Sequence, residues 1–228
     1  LLNAACLHPA RLGEPLALTV NYAGPVADGP FRISARPVRT NRSTQHWCME
    51  LEQGEAIAAT ASAVFAARRE TWSATEIGFP QVPPAAEVPV NPMPARVVWF
   101  KQYEMRFAEG GMPDFRITPP ADDPTPHDTT STLWVRDEPP RPLDFASLTA
   151  ICDVFIPRIF LRRRRPTPAG TVSMSIYFHA GSQQLAAQGP QPVLGRARAQ
   201  HFRAGYFDQT AEVGSHDRHL LATTQQVV

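Results

Sequence analysis

The strongest constraint on the fold of this 228-residue chain is an internal repeat. The segment L-L-N-A-A-C-L-H-P, ending at Pro9, aligns with T-A-I-C-D-V-F-I-P, ending at Pro157. The segment A-L-T-V-N-Y-A, Ala17 to Ala23, aligns with S-M-S-I-Y-F-H, Ser173 to His179. The second copy needs eight more residues between the two blocks, which is the length taken up by its arginine run, Arg162 to Arg165, and flanks. An internal duplication explains this order economically, and each copy should be one structural unit.

Within the first copy, residues 1–67, Leu1 to Leu7 reads as a helix fragment, the later turns of a helix already under way upstream. Four strands follow, over Pro15–Tyr22, Phe31–Thr40, Ser43–Glu52 and Ile57–Ala67, separated by Gly- and Pro-rich turns and by the short breaks T-N-R-S and E-Q-G-E. Residues 68–130 are dense in proline and read as a linker. Inside it, the alternating stretch Ala95 to Phe107, with four aromatics, reads as a strand. The second copy, residues 131–228, opens with a strand, Ser131–Arg136. A helix follows through D-F-A-S-L-T-A-I-C-D-V-F-I-P, with Asp144 as its N-cap, and then strands over Thr171–Ala180, Gln183–Gln188, Val193–Phe207 and His219–Val228. One helix on one face of an antiparallel sheet, present twice, is an α+β arrangement. Pairing the two sheets edge to edge would remove two exposed edge strands.

Composition narrows the function classes. Hydrophobic residues make up 43% and charged residues 19%, so the chain should fold rather than stay disordered. The net charge of +1 gives no reason to expect a nucleic-acid partner. No apolar run reaches the length of a membrane span, and no charged segment precedes a cleavable apolar one, so the expectation is a cytoplasmic protein without a membrane partner. Cys6, Cys48 and Cys152 have no metal-type spacing and read as buried free thiols, and no metal site is expected. Of 22 basic residues only Lys101 is lysine. Arginine suits bidentate phosphate contacts, but base composition is the better explanation of its abundance, since alanine and proline are abundant too.

The repeat itself points to a site, because residues needed only for folding should recur in both copies. Three polar residues occur in the second copy alone: Asp153 against Ala5, Thr171 against Pro15, and Gln226 against Ala63. Asp153 stands in the apolar run A-I-C-D-V-F-I, where an ionised carboxylate needs hydrogen-bond partners or a water-filled cavity. Thr171 and Gln226 would each be ordinary strand residues on their own. His179, matching Ala23, reads as a hydrogen-bonded structural histidine. A serine-triad hydrolase would carry a Gly-x-Ser-x-Gly elbow, and none occurs.

The strand T-V-S-M-S-I-Y-F-H, Thr171 to His179, the run L-G-R-A-R-A-Q-H-F-R-A-G-Y-F-D-Q-T-A-E-V, and the ending H-L-L-A-T-T-Q-Q together resemble the C-terminal hotdog of type II acyl-CoA thioesterases and the wider thioesterase-like double hotdog group. The resemblance implies an α+β double hotdog, with each sheet wrapped around a helix, and an enzyme hydrolysing acyl-CoA thioesters. It places on Asp153, Thr171 and Gln226 the aspartate, threonine and glutamine that hold the hydrolytic water, the same three residues that the repeat selects. Backbone N–H groups near the helix start would hold the oxyanion. Coenzyme A would enter as part of the substrate, with no separate cofactor, and its phosphates would meet Arg162, Arg163, Arg164 and Arg165. A homodimer or higher oligomer is expected from the family. The alternatives are a non-catalytic acyl-CoA or lipid-binding double hotdog, and a hotdog dehydratase or hydratase, which would need a catalytic histidine that the sequence does not place near Asp153.

Overall fold

In a computed structural model, which describes residues 1–94, 97–117 and 127–228, the chain folds around one long antiparallel sheet. The first copy supplies a short helix, α1 (Leu2–Cys6), and four strands, β1 (Glu14–Tyr22), β2 (Arg32–Thr40), β3 (Thr44–Gln53) and β4 (Ala56–Ala66). Strand β5 (Tyr103–Glu109) comes from the proline-rich stretch. The second copy supplies β6 (Ser131–Asp137), α2 (Phe145–Ile151), α3 (Arg158–Arg163), β7 (Ser173–Phe178), α4 (Ser182–Gln188), β8 (Val193–Arg198), the two-residue β9 (Phe202–Arg203), β10 (Tyr206–Gly214) and β11 (Leu220–Val227). The strand order is β2-β3-β4-β1-β7-β11-β10-β8-β6-β5, with β9 pairing β10. Proline at Pro37 sits in β2, at the outer edge of this order, where a missing ladder donor does least harm.

The two copies meet where β1 pairs β7, with Leu18 opposite Ile176, Thr19 opposite Ser175 and Val20 opposite Met174. Exchanging each residue of β1 for the one 156 later in β7 reproduces these pairs, so a local two-fold axis passes through the Thr19–Ser175 pair. Their hydroxyls are hydrogen-bonded at 2.9 Å. Alternation in β1 and β7 sends Leu18, Val20, Met174 and Ile176 into one shared core. Leu2 and Ala5 of α1, and Leu148 and Ile151 of α2, join that core. Asp144 caps α2 as expected, accepting from the Ser147 N–H at 2.7 Å.

Four expectations need correction. The stretch Gln183–Gln188 is helix α4, not a strand; it is built of Gln, Leu and Ala without a β-branched residue, and Gln184 Oε1 accepts from the Gly181 N–H at its start. The stretch Val193–Phe207 is not one strand either. The chain leaves β8 at Ala199 and turns back through Ala204 and Gly205, both at positive φ, so that β10 is a separate strand. The helix beginning at Asp144 stops at Ile151 instead of running on toward Pro157. The Asp153 and Val154 N–H groups bond to carbonyls three residues back, a tightening that precedes a proline which disfavours helix at Ile156. Of the three thiols only Cys152 is fully buried.

The proline-rich stretch is more than a tether. Positions 95 and 96 of the strand expected there lie outside the described residues; Val98–Gln102 forms a 3-10 turn, and β5 begins at Tyr103 and pairs β6. Val82 and Val88 pack on Trp134 and Leu194, and the Trp134 indole donates to the Pro83 carbonyl at 2.9 Å.

Gly13 brings the chain into β1 with φ +66°, and an added Cβ there would stand 2.1 Å from the Ala66 carbonyl oxygen. Gly13→Ala is therefore expected to destabilise by about 1–3 kcal/mol, a drop of roughly 2–10 °C in Tm. Gly24→Ala, where there is neither positive φ nor a close neighbour, should melt like the parent protein in the same calorimetric scan.

Candidate active site

A cavity of about 390 Å³ opens where the end of α2 faces β10 and β11. Ala150, Asp153, Phe155 and Pro157 line it from α2 and the turn that follows, Thr171 from the residues just before β7, and Gln209 and Gln226 from the sheet. Trp99 and Tyr103, from the proline-rich stretch, complete the wall.

Asp153, Thr171 and Gln226 all line this cavity. Gln226 donates from Nε2 to Asp153 Oδ1 at 2.9 Å, and its Oε1 lies 3.5 Å from the Thr171 hydroxyl, a long contact. The Gln226 Nε2 also lies 3.4 Å from Met174 Sδ. Gln209, on the neighbouring strand, donates to Gln226 Oε1 at 3.4 Å. Asp153 is solvent-exposed at the mouth of the cavity, but its carboxyl is set back among surrounding protein atoms, and that partial desolvation pushes its pKa from the ordinary 3.8 up to about 6. The Gln226 hydrogen bond opposes that rise but is outweighed by it. Partial desolvation raises Tyr103, with smaller contributions from the Asp137 and Asp153 charges, and it pushes Tyr22, although that residue is exposed, up to about 12, helped by the Asp153 charge.

Sheet register gives a check on the repeat comparison. Ala63 faces Leu18 on β1 and Gln226 faces Met174 on β7, so these two positions are equivalent through the two-fold axis. One strand further out, Trp47 faces Ala63 while Gln209 faces Gln226. The second copy thus carries a Gln–Gln pair where the first has Trp–Ala. Gln209 lies beyond the end of the expected strand Val193–Phe207, in a stretch where the sequence gives no strand to compare, and Trp99 and Tyr103 come from the proline-rich stretch outside both copies. The pairing of Asp153 with Ala5 rests on aligning the copies at Pro9 and Pro157. Ala5 is inside α1, whereas Asp153 lies beyond the end of α2; matching the two helix ends sets Asp153 against His8.

Arg162 and Arg163 end α3, and Arg164 caps it in the left-handed region, so half of the expected arginine loop is helix. Arg163 and Arg164 are exposed. They stand in the segment between Pro157 and Ala169, both of which line the cavity. The cavity touches the last turn of α2 rather than its start, and the Ser147 N–H is already taken by Asp144, so the helix start is not where oxyanion donors would lie. His179 bonds to the Thr223 hydroxyl at 3.0 Å, away from the cavity. Among the described residues no group of three His, Cys, Asp or Glu side chains is placed to hold a metal, and no helix is long and apolar enough to cross a membrane.

Sequence models of the acyl-CoA thioesterase N-terminal and C-terminal domains match residues 1–66 and 80–228. The chain belongs to the acyl-CoA thioesterase family. A conserved protein of unknown function with a hot dog fold from Alicyclobacillus acidocaldarius is 48% identical, covering 99% of this chain and 82% of that one at a TM-score of 0.91. The TesB protein of Mycobacterium avium subspecies paratuberculosis superposes at 0.75 with 18% identity, over 99% of this chain and 82% of that one. Acyl-CoA thioesterase II TesB2 of Mycobacterium marinum superposes at 0.70 with 15% identity, over 94% and 79%. A comparison with curated protein sequences found no match. The fold is therefore the α+β double hotdog of this thioesterase family.

The raised Asp153 carboxyl has a consequence for stability. Between about pH 4 and 6 the folded protein holds a proton that the unfolded chain has released, so this residue's contribution falls as pH rises through that window and stays unfavourable above it. Asp153→Asn removes the cost. At pH 7.5 the variant should melt at or above the parent's temperature, and the difference should shrink toward pH 4.

Proposed function

We propose that the protein hydrolyses acyl-CoA thioesters to a free acid and coenzyme A, using a water held by Asp153, Thr171 and Gln226. The observation that carries this reading is the convergence of three polar side chains, from three separate elements, on one cavity with apolar walls. The Asp153 carboxylate accepts a proton from the water as its oxygen attacks the thioester carbonyl carbon. The tetrahedral intermediate then collapses, the carbon–sulfur bond breaks, and the departing thiolate takes the proton back from Asp153. Gln226 holds Asp153 Oδ1 through its N–H, leaving the other carboxylate oxygen for the water. The Thr171 hydroxyl fixes the water's second contact. Phe155, Val154 and Trp99 offer the acyl chain an apolar surface, and Arg163 and Arg164 lie on the segment that borders the opening, where the phosphates of coenzyme A would emerge. Coenzyme A enters as part of the substrate, and the scheme calls on no other cofactor.

Asp153→Asn is the direct test, because the amide keeps the shape and loses the base. Turnover of a panel of acyl-CoAs should fall about a hundredfold to ten-thousandfold. In the unaltered protein, kcat/KM should climb with pH along a one-proton limb centred near 6, as Asp153 ionises. Near-parental turnover by the Asn variant would remove the hydrolytic reading and leave an acyl-CoA-binding module in its place.

A further inference from the structure

Arg158, the first residue of α3, is buried completely, at 0% exposure. Its guanidinium donates to the carbonyls of Ile156, Thr129 and Ala197, to the Ser131 hydroxyl at 2.6 Å, and to Gln209 Oε1 at 3.2 Å. All of these partners are neutral oxygens, so the charge is held by hydrogen bonds rather than by a carboxylate among the described residues. Desolvation lowers its pKa to about 9, which still leaves it cationic at neutral pH. Such a group is costly to bury, and a chain packing only for stability would do better with an apolar side chain of similar volume.

Its position beside Gln209 gives it a use. A guanidinium has donors and no acceptor, whereas a glutamine amide has one end of each kind and could in principle sit either way round. Since Arg158 can only donate, the oxygen of Gln209 must face it. The Gln209 NH2 group must then face Gln226, which turns the Gln226 oxygen toward Gln209 and Thr171 and the Gln226 NH2 group toward Asp153. Two side-chain amides are thus oriented in sequence by one cation. With Gln226 reversed, its carbonyl oxygen would face the Asp153 carboxylate and repel its ionised form.

We propose that Arg158 is a positioning residue of the site, which through Gln209 fixes the direction of the Gln226 amide so that Asp153 always receives an N–H. The role for Asp153 in turnover rests on the hydrolytic reading above; the orientation of the amides does not. The first copy supports the assignment independently. At the register-equivalent positions it has Trp47 and Ala63, so no pair of amides faces across those two strands. The groups coupled to Asp153 on the elements around it are Gln226 on β11, Tyr22 at the end of β1, Tyr103 on β5 and the adjoining Cys152. All are uncharged near pH 6, so a change at Gln209 reaches Asp153 through the amide of Gln226.

The test uses two variants of Gln209 and a readout that does not depend on turnover. Gln209→Met keeps the length and removes the amide, while Arg158 retains its other four acceptors. Followed by 13C NMR of the carboxyl, the titration midpoint of Asp153 should rise by roughly 0.5–1 pH unit, because Gln226 is no longer held with N–H toward it. Gln209→Glu gives Arg158 a better partner but offers Gln226 an acceptor in place of a donor, which turns the Gln226 amide round. It should melt at or above the parent's temperature and yet, at pH 8, lose about tenfold or more in kcat, with KM changed less than twofold. A purely structural role for Arg158 gives the opposite ranking, with Glu nearly as active as the parent and Met the poorer. An unmoved Asp153 midpoint in the Met variant, or near-parental kcat in the Glu variant, overturns the proposal; if the Met variant does not fold, the Glu variant decides alone. Should the parent prove unable to hydrolyse any acyl-CoA, the hydrolytic reading fails, and the Asp153 midpoint still decides whether the amides are oriented by Arg158.

Discussion

The antiparallel seam between β1 and β7 is the interaction on which the rest of the chain depends. Without it there would be two small curled sheets, each with an open edge and each too small to bury its inner face well. With it, Leu18, Val20, Met174 and Ile176 form the middle of a single core reaching from α1 to β8. The Thr19–Ser175 hydroxyl pair sits on the local axis, so the polar side of the seam is satisfied within itself. Because register is a period-two property, a slip of one residue at this seam would turn every core side chain outward. It is also through this seam that equivalence between the copies can be carried outward, from β1 and β7 to β4 and β11, and from there to β3 and β10.

The active-site candidate departs from that symmetry on purpose-built elements. The seam dictates where β11 and β10 run, hence where Gln226 and Gln209 stand. The turn after α2 and the segment leading into β7, which between them hold the eight residues that the first copy lacks, bring in Asp153, Arg158 and Thr171. The proline-rich stretch adds Trp99 and Tyr103. A carboxyl with a pKa near 6 in such a place is a stability cost accepted locally, of the kind expected where function rather than packing sets the residue.

Much of this was legible in the sequence, for identifiable reasons. Strand alternation, the Asp144 cap and the 156-residue offset between β1 and β7 are local or period-two signals, and the structure keeps them. Thr171 and Gln226 could be found by comparing copies because the strands that carry or adjoin them align without gaps. What the sequence hid lay where alignment needs the third dimension. The Ala204–Gly205 turn lies in a mixed stretch, R-A-R-A-Q-H-F-R-A-G-Y, with no proline or Asn-Gly signal to mark it, and Gln209 follows in a segment without an expected strand. Arg158 stands outside the arginine run Arg162 to Arg165, and nothing in R-I-F-L-R-R shows that its first arginine is buried while Arg163 is exposed. Asp153 stands out in the sequence as an acid in an apolar run, and the structure places it on the cavity wall; which residue of the first copy it matches depends on whether the helices are aligned at their prolines or at their ends.

One feature of the first copy acquires a different meaning beside the second. Trp47 is almost wholly buried, packs against Phe65 and the edge of His8, and donates its indole N–H to Gln45. It occupies the place on β3 that Gln209 holds on β10. Register-equivalent positions are thus put to opposite uses, one half closing over a buried indole and the other presenting two amides to a cavity, while the β1–β7 seam keeps both in a single sheet.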